Sequence, residues 1–201
     1  MRLTAALLVL TSMLAGMSSV AHPGSGAPDW LSLSFEQQSR MQHLDGQFRA
    51  GLDGSDQGFE WRNLLKAEAT AKRFSITTEL ADMRTYLVDS GTPLDSTTNN
   101  PLDILQAHVT VPFSGVFSEE DKGFIKVGRF TMDQGSRRFV ARNRFRNTIN
   151  SFAGVQARIE NATSSLELFY TRPTQRRVDN DWVDNDPRLD NQSKDFFWGG
   201  Y

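Results

Sequence analysis

Cysteine is missing altogether, and the only three histidines, His22, His43 and His108, stand far apart. The first absence excludes a disulfide scaffold, and the second leaves no metal-ligand spacing. No stretch after the first few residues approaches the ~18 consecutive apolar residues of a spanning helix. Helical periodicity is also scarce. Its best case is Phe59 to Met83, where Ala, Leu, Lys and Glu are common, but a period of two and β-branched or aromatic residues favour strands there. No serine or cysteine nucleophile with partners is visible, and the adjacent acids Glu119 and Glu120 lie in a turn and form no glycosidase dyad. The chain is therefore expected to be neither an enzyme nor a cofactor protein.

What is present begins with Arg2 ahead of an apolar run that reaches Gly16, followed by the small-residue site Ser19-Val20-Ala21. This three-part layout predicts a secretory signal peptide over residues 1–21. Residues 22–29, rich in Gly, Pro and Ser, read as a flexible leader, and 30–201 as one domain. A cysteine-free exported chain must be held by its core or by a membrane.

From Trp30 onward the sequence alternates. Leu31, Leu33 and Phe35 oppose Ser32, Ser34 and Glu36, and Phe59, Trp61, Leu65, Ala67 and Ala69 oppose Glu60, Arg62, Lys66 and Glu68. Phe74 to Leu80, Leu105 to Phe113, Phe124 to Met132, Ala153 to Ile159 and Leu166 to Tyr170 continue the pattern, and Phe196 opens another run. Seven strand-length runs and the start of an eighth are predicted, with Thr70-Ala71-Lys72 as a hairpin turn and long polar loops at 89–101 and 172–194. The fifth run mixes Arg129 with Ile125 and Val127 on one face, which predicts a bulge or a change of environment near Gly128.

One face of these runs is apolar but thin, with several alanines among aromatics, and the other is charged. A soluble sandwich favours large aliphatics in its core. Apolar-out and charged-in alternation, an export signal and unequal loops instead match an all-β, antiparallel transmembrane β-barrel with a polar lumen. A soluble periplasmic all-β binding module for an acidic ligand is the competing class, because it too alternates.

Charge is unevenly spent. The net charge is -2, yet Gly128 to Asn150 holds six arginines and a single carboxylate, Asp133. Asp29-Trp30-Leu31-Ser32-Leu33-Ser34, Leu44-Asp45-Gly46-Gln47-Phe48-Arg49, and the Asp-Gln-Gly-Ser-Arg-Arg and Arg-Asn-Arg-Phe-Arg-Asn-Thr-Ile-Asn wording of 133–150 resemble the bacterial alginate export family. The likeness runs from Asp29 to Tyr201. It implies an outer-membrane barrel of roughly 18 strands with an electropositive lumen that passes a polyuronate. The seven or eight strands here would be its front part.

On that resemblance the partners are an alginate-like anionic polysaccharide, outer-membrane lipid and periplasmic export machinery, with no nucleic acid. A general anion-selective porin is the alternative within transport. Arginine suits passage of a polyuronate: always charged, planar, and able to hold a carboxylate bidentately. Arg142, Arg144 and Arg146 share a parity and would form one row if extended, whereas Arg137 and Arg138 would point apart. Those three, with Arg129, Arg158, Arg62 and Lys66, are the expected anion pathway, and Glu68, Glu79, Asp133 and Glu160 the expected counter-charges. The acidic loop Asp179 to Asp190 lacks the spacing of a twelve-residue calcium loop and reads as solvated.

Overall fold

The computed structural model describes residues 17–20, 28–44, 56–89, 98–143, 145–177 and 185–201. They form one antiparallel ten-stranded sheet, and no helix occurs among them. Strands β1 (Met17–Val20), β2 (Leu31–Leu44), β3 (Asp56–Thr70), β4 (Ser75–Tyr86), β5 (Asn100–Ser114), β6 (Lys122–Phe130), β7 (Phe152–Glu160) and β8 (Ser165–Gln175) lie side by side in chain order. The two-residue β9 (Asn191–Gln192) and β10 (Phe197–Gly200) both pair with β8. Each long strand pairs with its neighbour in the chain, so β1 to β8 follow one another as an up-and-down meander.

All eight predicted runs are strands; β2, β4, β5 and β8 extend well beyond their alternating cores, whereas β6 ends at Phe130, short of the expected Met132. β1, within the expected signal peptide, pairs with Ser34 to Gln37 of β2. The hairpin between β3 and β4 closes through Ala71 N–H to the Phe74 carbonyl at 2.8 Å. In the turn between β7 and β8, the Asn161 side-chain oxygen accepts from Thr163 N–H and Ser164 N–H, both at 3.0 Å. Such side-chain mimicry of a backbone turn is what Asn supplies cheaply. Asp121 does the same before β6, accepting from Phe117 N–H at 2.8 Å and Ser118 N–H at 2.7 Å.

The faces are the reverse of a soluble protein's. Along β3 Asp56, Gly58, Glu60, Arg62 and Leu64 are buried, while Trp61 and Leu65 are exposed. Along β4 Thr77, Glu79, Ala81, Met83 and Thr85 are buried, while Ile76 and Leu80 are exposed. Leu33, Phe35, Val109, Val111, Ile125, Val127, Val155, Leu166, Leu168 and Tyr170 extend the exposed apolar face across the sheet. Burial normally excludes Glu and Arg and covers Trp and Leu.

The polar face is buried because the chain folds back over it. Between β6 and β7 the described residues of 131–151 form no strand and lie against β2 to β5. Ile149 joins Leu64, Ala81, Met83 and Leu105 in one apolar cluster, and Met132 and Val140 join Phe130 and Phe152 in another, with Phe169 and Phe197 packed on it. Burying each such side chain stabilises by about 1.5–3 kcal/mol. These two patches are the anchors of the returning segment.

Three irregularities mark the polar face, one of them a second β4–β5 register shift between Ala81 and Met83. The β4–β5 register shifts between Glu79 and Leu80, so Gln106 pairs with Glu79 and Ile104 with Leu80. Leu105 is the extra residue, and both Leu105 and Gln106 turn inward and are buried. The expected disturbance at Gly128 takes a different form. The β5–β6 register runs through it unbroken, but Gly128 has a φ of 128° and faces Gly154 across β6–β7. A Cβ at Gly128 would lie 2.4 Å from the Ala107 carbonyl oxygen. The backbones close up here as only glycine permits.

Candidate functional site

Because the described residues of 131–151 form no strand, the strand parity expected to align Arg142 with Arg146 does not apply to them. Arg144 lies outside the described residues. Gly135 at φ 51° and Arg137 at φ 63° reverse the chain, helped by Gln134 N–H to the Val140 carbonyl at 3.0 Å. Asn143 then accepts Phe145 N–H and Arg146 N–H at 3.0 and 3.1 Å, turning the segment again.

These turns bring Arg142 onto β4. Its Nη2 and Nη1 donate to the two carboxylate oxygens of Glu79 at 2.6 and 2.9 Å, and Nη1 also donates to Thr131 Oγ1 at 3.0 Å. The Arg142 N–H donates to Asp133 Oδ1 at 2.6 Å. Gln106, re-aimed by the bulge, donates to Glu79 and accepts Thr131 N–H at 3.1 Å. A bidentate, charge-assisted grip in a shielded place is among the stronger polar contacts available.

Further along, the segment's own carbonyls meet strand arginines. Arg62 donates from Nη1 to the Arg146 carbonyl at 3.0 Å and reaches Glu36 at 3.4 Å. Arg40 is paired with Glu60 at 3.2 Å, donates to the Phe145 carbonyl, and stacks 4.8 Å above the Phe145 ring. The Asn147 amide donates to the Arg84 and Thr98 carbonyls at 3.0 and 2.7 Å.

The other expected residues are distributed around this contact. Arg129, although on the parity of exposed Ile125 and Val127, is mostly buried and bound to Asp103, to Ser151 Oγ at 3.0 Å and to Asp190 at 3.5 Å. Arg158 pairs with Glu160 at 2.6 Å and Glu167 at 3.6 Å, and Lys66 with Glu68 at 3.1 Å. Asp133 pairs with Arg137 at 2.9 Å. Each of the four expected counter-charges thus meets a cation.

Beside the Arg142–Glu79 contact is a cavity of about 660 Å³ on the polar face, lined by side chains including Lys66, Lys126, His108, Glu36, Glu68 and Thr77. Lys126 was not among the expected residues. It shares the inward parity of Phe124 and Phe130, and its ammonium lies 5.2 and 5.4 Å from those rings. No carboxylate of the described residues is within ion-pair distance of it. A cation held against rings, with no described carboxylate in direct contact, can take an incoming anion.

At the long-loop end, Asp190 accepts from the Asn100 amide at 3.0 Å and Arg177 N–H at 3.1 Å, and its own N–H donates to Asp103 at 3.3 Å. Burial and the neighbouring Asp103 charge push its carboxyl up to about 6. The described end of the acidic loop, residues 185–190, is therefore docked on the sheet through Asp190. Asp179, Asp181 and Asp184 lie outside the described residues, and no cluster of three or more metal-ligating side chains occurs among those described.

A family described as alginate export matches residues 29–199. No curated protein and no solved structure matches the chain.

Proposed function

The chain belongs to the alginate export family, whose members are transport proteins and not enzymes, and from that premise we propose that it forms wall and constriction of an outer-membrane channel for an anionic polysaccharide. Residues 30–201 supply the barrel wall after export directed by residues 1–21. The polar face is the lumen, and the apolar face meets lipid.

One observation carries this reading: the sheet buries Arg40, Glu60, Arg62, Glu79 and Asp103 on the face that the folded-back arginine segment covers, and exposes its large apolar side chains on the other. A soluble binding module would have to solvate that apolar face, whereas a membrane wall requires it. The segment 131–151 narrows the lumen, and Glu79 is its docking point. Lys66, Lys126 and Arg142 then present cations in series to a chain bearing about one carboxylate per sugar. Paired cations exchange one carboxylate for another, so the polymer is passed along and not held.

The test is planar-bilayer recording of the reconstituted protein. Anion selectivity and block by oligouronates are expected, with both reduced when Arg142 and Lys126 are neutralised together. Equal block by neutral oligosaccharides of the same length would overturn the polyuronate assignment, and strong preference for small anions with no oligouronate block would favour a general anion porin.

A further inference from the structure

We infer that the outward face of β8, around Arg172, binds the phosphate of an anionic membrane-lipid headgroup, one with no cation of its own to neutralise it; this rests on the membrane reading above. Leu166, Leu168 and Tyr170 point outward along β8, and Arg172 is the next outward residue toward the long-loop end. Trp198 of β10 sits opposite Tyr170 on the same face.

Phe196 organises the site. Its ring stacks on Tyr170 with centroids 4.8 Å apart, and the Arg172 guanidinium lies 4.3 Å from its centroid. Stacking occupies the flat face of a guanidinium and leaves its in-plane N–H donors free, the edge that takes phosphate bidentately. Other outward-parity arginines are already committed, Arg84 to Asp82 at 2.8 Å and Arg129 to Asp103. The described residues place no carboxylate within ion-pair distance of Arg172.

The surroundings select a lipid over a free anion. Tyr170 is 54% and Trp198 73% exposed, and Leu168 and Leu166 continue the apolar surface below them. Tyr and Trp at the border of an apolar band occupy headgroup depth. A phosphate on Arg172 would thus sit directly above surface fit for its own acyl chains, an arrangement that inorganic phosphate cannot use.

The experiment uses the full chain in two steps. Flotation with phosphatidylcholine vesicles tests membrane insertion. Native mass spectrometry of the detergent-solubilised protein, offered equal phosphatidylglycerol and phosphatidylcholine of matched chains, then reads the ratio of retained lipids. We expect the wild-type chain to float and to favour phosphatidylglycerol by about fivefold or more, the scale of one charge-assisted contact. Arg172→Gln and Phe196→Ala should lose that preference while still floating, and Arg172→Lys should keep part of it. An unchanged ratio in Arg172→Gln overturns the inference and leaves the membrane reading intact. Failure of the wild-type chain to float overturns both.

Discussion

Arg142 and Glu79, 63 residues apart in sequence, meet through two hydrogen bonds of 2.6 and 2.9 Å that fasten the returning segment to the middle of the polar face. Glu79 is almost fully buried, so removing its partner leaves a carboxylate without compensation. Arg142→Gln should destabilise the protein by about 1.5–3 kcal/mol and raise single-channel conductance, because the segment loses its tie to the middle of β4 while its apolar anchors remain. A double-mutant cycle with Glu79→Gln, read by denaturant unfolding, should show strong coupling. Additive losses would mean that the pair does not hold the segment.

Lys126 offers a separation of binding from stability. It is without a carboxylate partner among the described residues, so Lys126→Gln leaves no orphaned acid behind. The expected outcome is an unfolding midpoint near that of the wild type and oligouronate block weakened about three- to tenfold, the scale of one lost charge contact. Lys66→Gln should do less for block, because Lys66 is already neutralised by Glu68 at 3.1 Å.

Much of this was legible in the sequence, and the failures have physical reasons. A period of two survives along β3, β4 and β8 because one face meets polar neighbours and the other does not, so strand existence and facing could be read residue by residue. Arg40 was reachable too, since it continues the inward parity of Ser34 and Glu36 beyond the first six residues of its run. Lys126 was hidden because its face also carries Phe124 and Phe130, which read as apolar. The course of 131–151 was not legible. Its turn residues Gly135 and Asn143 are visible, but parity means nothing in an irregular segment, and where it lands is fixed by Glu79, Arg62 and the cluster around Ile149, all distant in sequence.

Asp190 gives the acidic loop a pH dependence. Its carboxyl lies at about 6 in the folded chain, above the usual 3.8, so the folded state binds the proton more tightly than the unfolded one. Stability from this group is therefore fully present below about pH 4 and is lost as pH rises through about 6. Amide exchange over 185–192 should accelerate between these values, and Asp190→Asn, which keeps the neutral form, should flatten the profile. Slower exchange on raising pH, after correction for intrinsic chemistry, would contradict the sign.

Gly128 tests the close approach of β5 and β6. An alanine there would bring a Cβ to 2.4 Å from the Ala107 carbonyl oxygen at a φ of 128°, with backbone on the other side that cannot swing away. Gly128→Ala should cost more than ~2 kcal/mol, well above an ordinary strand Gly→Ala change. Gly115→Ala, where φ is 72° but no atom lies within 4 Å of the added Cβ, carries the backbone strain alone and should cost clearly less. Comparable losses in the two variants would show that the strand approach is not the cause.

The sidedness of the sheet predicts opposite responses to the same substitution. Leu65 is 50% exposed on the apolar face, between Ala67 and Asn63 along β3. In lipid, a cation at this depth costs about 2–4 kcal/mol, so Leu65→Arg should reduce insertion into vesicles and lower stability there. On a soluble protein the same change relieves an exposed apolar patch and should raise solubility without detergent. Thr110→Arg, on the polar face beside Lys126 in register, is the internal control: it should be tolerated in lipid and increase anion selectivity, because it adds a cation to the cavity wall. If Leu65→Arg inserts as well as the wild type while Thr110→Arg does not, the two faces have been assigned the wrong way round.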